Sequence, residues 1–216
     1  MARPALSPKQ FAEARDSLLA VALRLYEERG VDGMSFRAIA AEHGCSASMP
    51  YLYFESKAAL VDHLRIRAYD WLRDQLARAS ATAVNPFEAL RNIAVAYVRA
   101  GLERPRMYEL LYSQDGAMAE TDSRLLEAKR AALGVCIDAI RRITEHSDGA
   151  MAEDPETAAH LFWIAAHGLV SLDHGGFLVV GRSLDDLLPG LFASLVRGMG
   201  DGDFAAVFSN LEINKE

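Results

Sequence analysis

Residues 35–57, SFRAIAAEHGCSASMPYLYFESK, restrict the fold of this 216-residue chain more tightly than any other stretch. Ser35 can cap a helix in which Phe36, Ile39 and Ala40 share one face. His43 and Gly44 end that helix, glycine supplying the left-handed residue a sharp turn needs. Ser46 can cap a second helix carrying Ala47, Ser48, Met49, Tyr51 and Tyr53, with Tyr51 and Phe54 offering apolar bodies to the first. Two short helices meeting steeply about a tight turn make a helix-turn-helix. Pro50 complicates the second of them. With Ser46 as cap, it removes the first intrahelical hydrogen bond and crowds the Ser46 carbonyl, so the first turn should loosen or begin later.

The flanking sequence also reads as helix. Phe11, Leu18, Leu19, Ala22, Leu25 and Tyr26 fall largely on one side of a helix predicted over residues 8 to about 29, which Gly30 stops. Ser56 caps a long helix predicted from 57 to about 79. Asn85-Pro86 and Asp154-Pro155 each give a cap followed by proline at the first helical position, opening helices predicted to about 103 and about 177. Between them, Pro105 sets off a short helix near 107–113, and Thr121-Asp122 opens another to about 146. Ser183 with Asp186 resembles a capping box. The last helix then carries Leu184, Leu187, Leu188, Leu191, Phe192, Leu195, Val196 and Met199 in one wide stripe. No strand-like alternation of useful length and no internal repeat is present, so the fold class is all-α with about nine helices.

A hydrophobic content of 51% supplies a substantial core. No apolar run is long enough to span a bilayer, and the start of the chain lacks the apolar middle region of a secretory signal, so a cytoplasmic protein without membrane partners is expected. Cys45 and Cys136 lie far apart without metal-ligand spacing, which argues against a disulfide framework or structural zinc. His160, His167 and His174 recur every seven residues, placing neighbours about 10 Å apart on a helix, too far to share one metal ion. No metal or cofactor is expected. The net charge of -7 is unevenly spread: residues 1–78 hold 11 Lys and Arg against 10 Asp and Glu, and residues 79–216 hold 12 against 20. A near-neutral head on an acidic body can meet DNA through a few placed cations.

Leu18 to Leu60 resembles the N-terminal domain of the TetR family of transcriptional regulators, through Ala22, Leu25, Tyr26, Gly30, Ser35, Ile39-Ala40, Gly44-Cys45-Ser46, Tyr51, Phe54 and Ser56-Lys57. A second resemblance, to a C-terminal domain type of that family, rests on residues 97–112 and 162–172 with Trp163, His167 and Gly168. Together they imply a DNA-binding domain over 1–56 and an effector-binding and dimerisation domain over 57–216. The expected molecule is a homodimeric, ligand-responsive regulator, a repressor of a palindromic operator in double-stranded DNA.

The implied DNA-binding set is Ser35, Arg37, Ser46, Ala47, Ser48, Met49, Tyr51, Tyr53 and Lys57. Arginine can bind guanine bidentately, serine can serve donors or acceptors, and Met or Ala can touch a thymine methyl. The implied pocket for an unknown small-molecule effector is Met107, Tyr108, Tyr112, Trp163, His167 and Phe177, apolar with a few polar tips. The implied dimer interface is Leu161, His174, Leu184, Leu188, Leu191, Phe192 and Leu195. Two rivals stand beside this reading: a helical dimerisation or ligand-binding module with little DNA binding, and an enzyme. The chain carries no nucleophile elbow, phosphate-cradling glycine loop or His-Glu-x-x-His motif in favour of the latter.

Overall fold

Caps legible in the sequence fix where most helices begin. Ser7 and Gln10 form a reciprocal capping box, Ser35 accepts from the Ala38 amide at 3.1 Å, and Ser56 accepts from the Ala59 amide at 3.0 Å. Asn85 accepts from the Glu88 amide at 2.9 Å and Asp154 from the Thr157 amide at 2.9 Å, each before a proline in the first turn. Ser183 and Asp186 close a second capping box, the Ser183 amide donating at 2.8 Å and the Asp186 amide at 3.2 Å.

The computed structural model describes residues 7–116, 122–146 and 153–199; Thr121 and the side chain of Met199 lie outside the described residues. All regular elements among them are helical: α1 (Pro8–Gly33), α2 (Phe36–His43), α3 (Lys57–Ala81), α4 (Pro86–Glu103), α5 (Pro105–Leu111), α6 (Ser123–His146), α7 (Pro155–His174) and α8 (Leu184–Met199), with a 3-10 turn at Pro50–Leu52. This is the all-α class expected. Gly30, with φ 71° and ψ -171°, breaks the helical backbone of α1 where the sequence placed a stop. After α7, Gly176 takes φ 67° and the Phe177 amide donates to the Leu172 carbonyl at 2.8 Å, ending the helix at His174 rather than at 177.

The chain packs as two units, Met1–Ala68 with Arg106–Leu126, and Tyr69–Pro105 with Glu127–Glu216, the first division falling inside α3. In the first unit, Leu18 and Ala22 of α1, Ile39 of α2 and Leu60 and Leu64 of α3 are wholly buried. Each such leucine or isoleucine contributes about 1.5–3 kcal/mol by leaving water. The same core holds Asp62 and Arg65, both buried and 3.6 Å apart, with Gly116 packed against them. In the second unit α4 packs on α7 and α7 on α8, where Phe162 stacks on Phe192 with centroids 5.6 Å apart.

Candidate functional site

Two places in the fold carry chemistry, one in each unit. In the first unit α2 ends at Gly44, whose φ of 76° is the left-handed cap expected from the sequence. The chain beyond it departs from expectation. In place of a helix from Ser46, residues 46–49 form a turn in which the Met49 amide donates to the Ser46 carbonyl at 2.9 Å, followed by the Pro50–Leu52 turn. The Ser46 hydroxyl does not cap a helix there; it lies 3.2 Å from the Ser48 hydroxyl. The cause is Pro50, which has no N–H to give the Ser46 carbonyl and takes its place as the first residue of the tighter turn instead.

Side chains hold this short segment in position. The Tyr51 ring meets Phe36 edge-on at 4.7 Å, the Tyr53 ring lies 4.5 Å from Phe11, and Phe54 is buried against Phe36 and His63. The scaffold beneath is pinned by Arg24 to Glu42 at 2.6 Å, Ser17 to His43 at 3.0 Å, and Arg67 to Asp16 at 2.8 Å. His63 sits half-buried beside this packing, and burial first, then the Arg15 charge, hold its imidazole below the usual histidine pKa.

Most of the expected DNA-binding set reaches the surface. Arg37, Ser46, Ala47, Ser48, Tyr51 and Lys57 are exposed, while Met49 and Tyr53 are half-buried. Ser35 is exposed but its hydroxyl is committed to capping α2. Leu52, absent from the expected set, is 71% exposed beside Tyr51. The sequence signal for it was Pro50: restarting the turn there turns Tyr51 and Leu52 outward and Tyr53 and Phe54 inward.

In the second unit a cavity of about 40 Å³ lies among α3, α4, α6, α7 and α8, walled by Leu72, Leu76, Leu90, Ile93, Tyr97, Cys136, Phe162, Trp163 and Phe192 among others. Its polar tips are few. Trp163 donates from Nε1 to the Tyr97 hydroxyl at 3.0 Å, and burial pushes the Cys136 thiol up to about 12, so it stays a protonated, apolar wall group at neutral pH. The volume accommodates little more than water-sized contents, since one water needs about 10–15 Å³ on this measure.

Of the six residues expected to line an effector pocket, Trp163 lines this cavity and the other five do not. Met107 and Tyr108 are buried and Tyr112 half-buried in the first unit, where the Tyr108 and Tyr112 rings pair at 5.4 Å. Their aromatic character reflects core packing. His167 is half-buried with its Nε2 3.4 Å from the Ser171 hydroxyl, and Phe177, beyond the end of α7, is 69% exposed. The missed wall residue Tyr97 was legible as part of the apolar i, i+3, i+4, i+7 face of α4 with Leu90, Ile93 and Ala94.

The expected interface set divides as well. Leu184, Leu188 and Phe192 are buried within the chain itself, as core residues. The stripe on α8 is wide enough to face two ways: Leu191 and Leu195, on its other flank, are half-buried. On α7, Leu161 and His174 are exposed. Among the described residues no group of three or more His, Cys, Asp and Glu side chains could hold a metal ion, and no helix is long and apolar enough to cross a membrane.

The first unit thus carries α2, a left-handed turn and a short 3-10 segment with an exposed polar face, and the all-helical second unit a small apolar cavity. Residues 18–64 match the family model for bacterial regulatory proteins of the tetR family, and residues 90–197, half of the chain, match the tetracyclin repressor-like C-terminal domain. The chain belongs to the TetR family of ligand-responsive, DNA-binding transcriptional regulators. It is 30% identical to the HTH-type transcriptional repressor KstR2 of Mycolicibacterium smegmatis over 116 residues, 54% of this chain and 56% of that protein, so the match spans little more than half of the relative. With the class D tetracycline repressor protein of Escherichia coli it shares 27% identity over 161 residues, 68% of this chain and 69% of that one. A solved structure of a protein of unknown function from Rhodococcus sp. RHA1 superposes with a TM-score of 0.74 at 26% identity, covering 87% of this chain and 96% of that one.

Proposed function

We propose that this chain is a repressor that binds a palindromic operator as a homodimer in the cytoplasm, with residues 1–56 reading DNA and residues 57–216 binding an effector and the second copy. The observation that carries the reading is the exposed group of Ser46, Ala47, Ser48, Tyr51 and Leu52, with Arg37 and Lys57 exposed as well, on a segment held to α1 and α2 by ring packing while an ion pair joins those two helices. Arg37 and Lys57 supply charge for phosphates or guanine, Ser46 and Ser48 supply hydrogen-bonding groups, and Ala47 and Leu52 supply apolar contacts for thymine methyls.

The rest of the mechanism follows from α3. Its first turn bears Lys57, and Leu72 and Leu76 further along it wall the cavity. An effector entering so small a space has to displace wall side chains, so it favours a different arrangement of the same helix. A ligand with about 1–3 kcal/mol more affinity for that arrangement lowers DNA affinity about 5–150-fold. For the dimer, Leu161, Ile164 and Leu172 on α7 and Phe177 beyond it are exposed at 37%, 66%, 46% and 69% in the protomer, apolar surface that a second copy would cover together with Leu191 and Leu195 of α8.

Selecting bound sequences from a random DNA pool with the purified protein tests the reading. Recovery of an inverted repeat with half-sites about 34 Å apart, or a multiple of that, is expected. No enrichment of any sequence would instead favour a helical ligand-binding module with little DNA binding. Ile164→Glu is expected to give monomers in sedimentation with native helix content; an intact dimer would place the interface elsewhere.

A further inference from the structure

The α3 and α4 helices that wall the apolar cavity carry a second space on their other faces. It is a groove of about 660 Å³ within the second unit, a size usual for small-molecule sites. Trp71, Gln75 and Arg78 follow one another along α3, and Arg91, Val95, Arg99 and Glu103 repeat every fourth residue along α4, so each set forms a ridge facing the groove. The lining holds three guanidinium groups against one carboxylate, in a unit whose sequence has 18 acidic residues against 12 basic ones. Arginines are gathered here against the trend of the surrounding sequence.

The rest of the lining completes a site of mixed character. The Trp71 indole presents an aromatic surface with the Arg104 guanidinium stacked 4.8 Å from its ring, and Val95, Ala96 and Ala79 add apolar floor. The Asn92 amide donates to the Ala79 carbonyl at 3.4 Å and the Thr82 hydroxyl at 3.3 Å, bridging α4 to the end of α3 at one end of the groove. Planar guanidinium forks match the two oxygens of a carboxylate or phosphate, and a groove lined by one sign of charge concentrates the opposite ion.

We propose that this groove binds a small organic oxyanion, a carboxylate or phosphate carried on a flat apolar body, with Arg78, Arg91 and Arg99 on the anion and Trp71 beside the body. The site is separate from the effector cavity and stands whether or not that cavity takes a ligand. Its two helices are shared with the cavity wall, so occupancy would bear on the same elements.

Phenyl phosphate serves as the anionic probe and benzyl alcohol as its neutral counterpart, with the full-length wild-type chain. Arginine modification by phenylglyoxal, mapped by peptide mass spectrometry, should slow at least threefold at Arg78, Arg91 and Arg99 together in the presence of phenyl phosphate, with Arg37 unchanged and no protection by benzyl alcohol. Calorimetry should show one saturable site that Arg91→Gln and Arg99→Gln each weaken tenfold or more. The labelling arm decides the matter even where a variant fails to fold. Equal modification of the three arginines with and without phenyl phosphate overturns the proposal. So do unchanged affinity in a folded Arg99→Gln protein and protection by duplex DNA alone.

Discussion

The indole Nε1 of Trp163 donates to the phenolic oxygen of Tyr97 across 3.0 Å, joining α7 to α4 at the wall of the apolar cavity. Tyr97→Phe keeps the ring and removes this acceptor from a site where water has little access. The expected loss is about 1 kcal/mol of stability. In a protein of this size that appears as a fall of about 2–4 °C in Tm. A scanning calorimetry trace indistinguishable from wild type would show that the bond contributes nothing net.

Gly116 approaches the buried carboxylate of Asp62 so closely that a Cβ there would lie 2.0 Å from Oδ1 and 2.9 Å from Cγ. One methyl group would therefore have to push the carboxylate away from Arg65, its ion-pair partner in the core. Gly116→Ala is expected to cost about 1–3 kcal/mol, the usual range for overpacking. Urea unfolding of the variant beside wild type measures it, and an unchanged midpoint would mean that the loop bearing Gly116 yields freely.

Pro50→Ala restores an amide at the point where a helix begun at Ser46 would bond back to the Ser46 carbonyl. The expected outcome is protection of that new amide from hydrogen exchange and a reorientation of Tyr51 and Leu52. Each operator base then misread should cost about 1–3 kcal/mol in a competition assay. Continued rapid exchange at position 50 would show that something other than proline prevents the helix.

His63 gives the fold a pH dependence of known sign. Its folded pKa lies below the usual 6.5 because burial and the Arg15 charge disfavour the imidazolium. Above 6.5 both folded and unfolded forms are neutral and its full contribution is present. As pH falls from there towards the folded pKa, the unfolded chain takes the proton first and stability is lost. Thermal melts at pH 7.5 and 5.5 should show His63→Asn losing less Tm over that interval than wild type; equal losses would remove His63 as the source.

Much of this architecture was legible because caps and prolines act locally. Asn85-Pro86, Asp154-Pro155 and the Ser183–Asp186 box depend on neighbours within four residues, and each begins a helix where read. The cavity was less legible because aromatic composition does not say which core a ring joins. Met107, Tyr108 and Trp163 look alike as pocket residues, yet only long-range packing assigns the first two to one unit and the third to another. The α8 stripe was ambiguous for a related reason: periodicity shows that Leu188 and Leu191 are both apolar, while packing, with α8 lying against α7, leaves Leu188 buried and Leu191 half-buried. At the helix-turn-helix, the disturbance by Pro50 was foreseeable, but the outward turn of Leu52 required the geometry of a three-residue turn.

The segment from Ser46 to Phe54 is held by rings: Tyr51 on Phe36, Tyr53 on Phe11 and Phe54 in the core. Ser46, Ala47 and Ser48, by contrast, are exposed and contribute little to folding. On the proposed reading, stability and sequence preference are therefore written in different letters of the same nine residues. A lineage of such proteins could exchange one target site for another at positions 46–48 without first acquiring spare stability, because the aromatic anchors that keep the segment in place need not change.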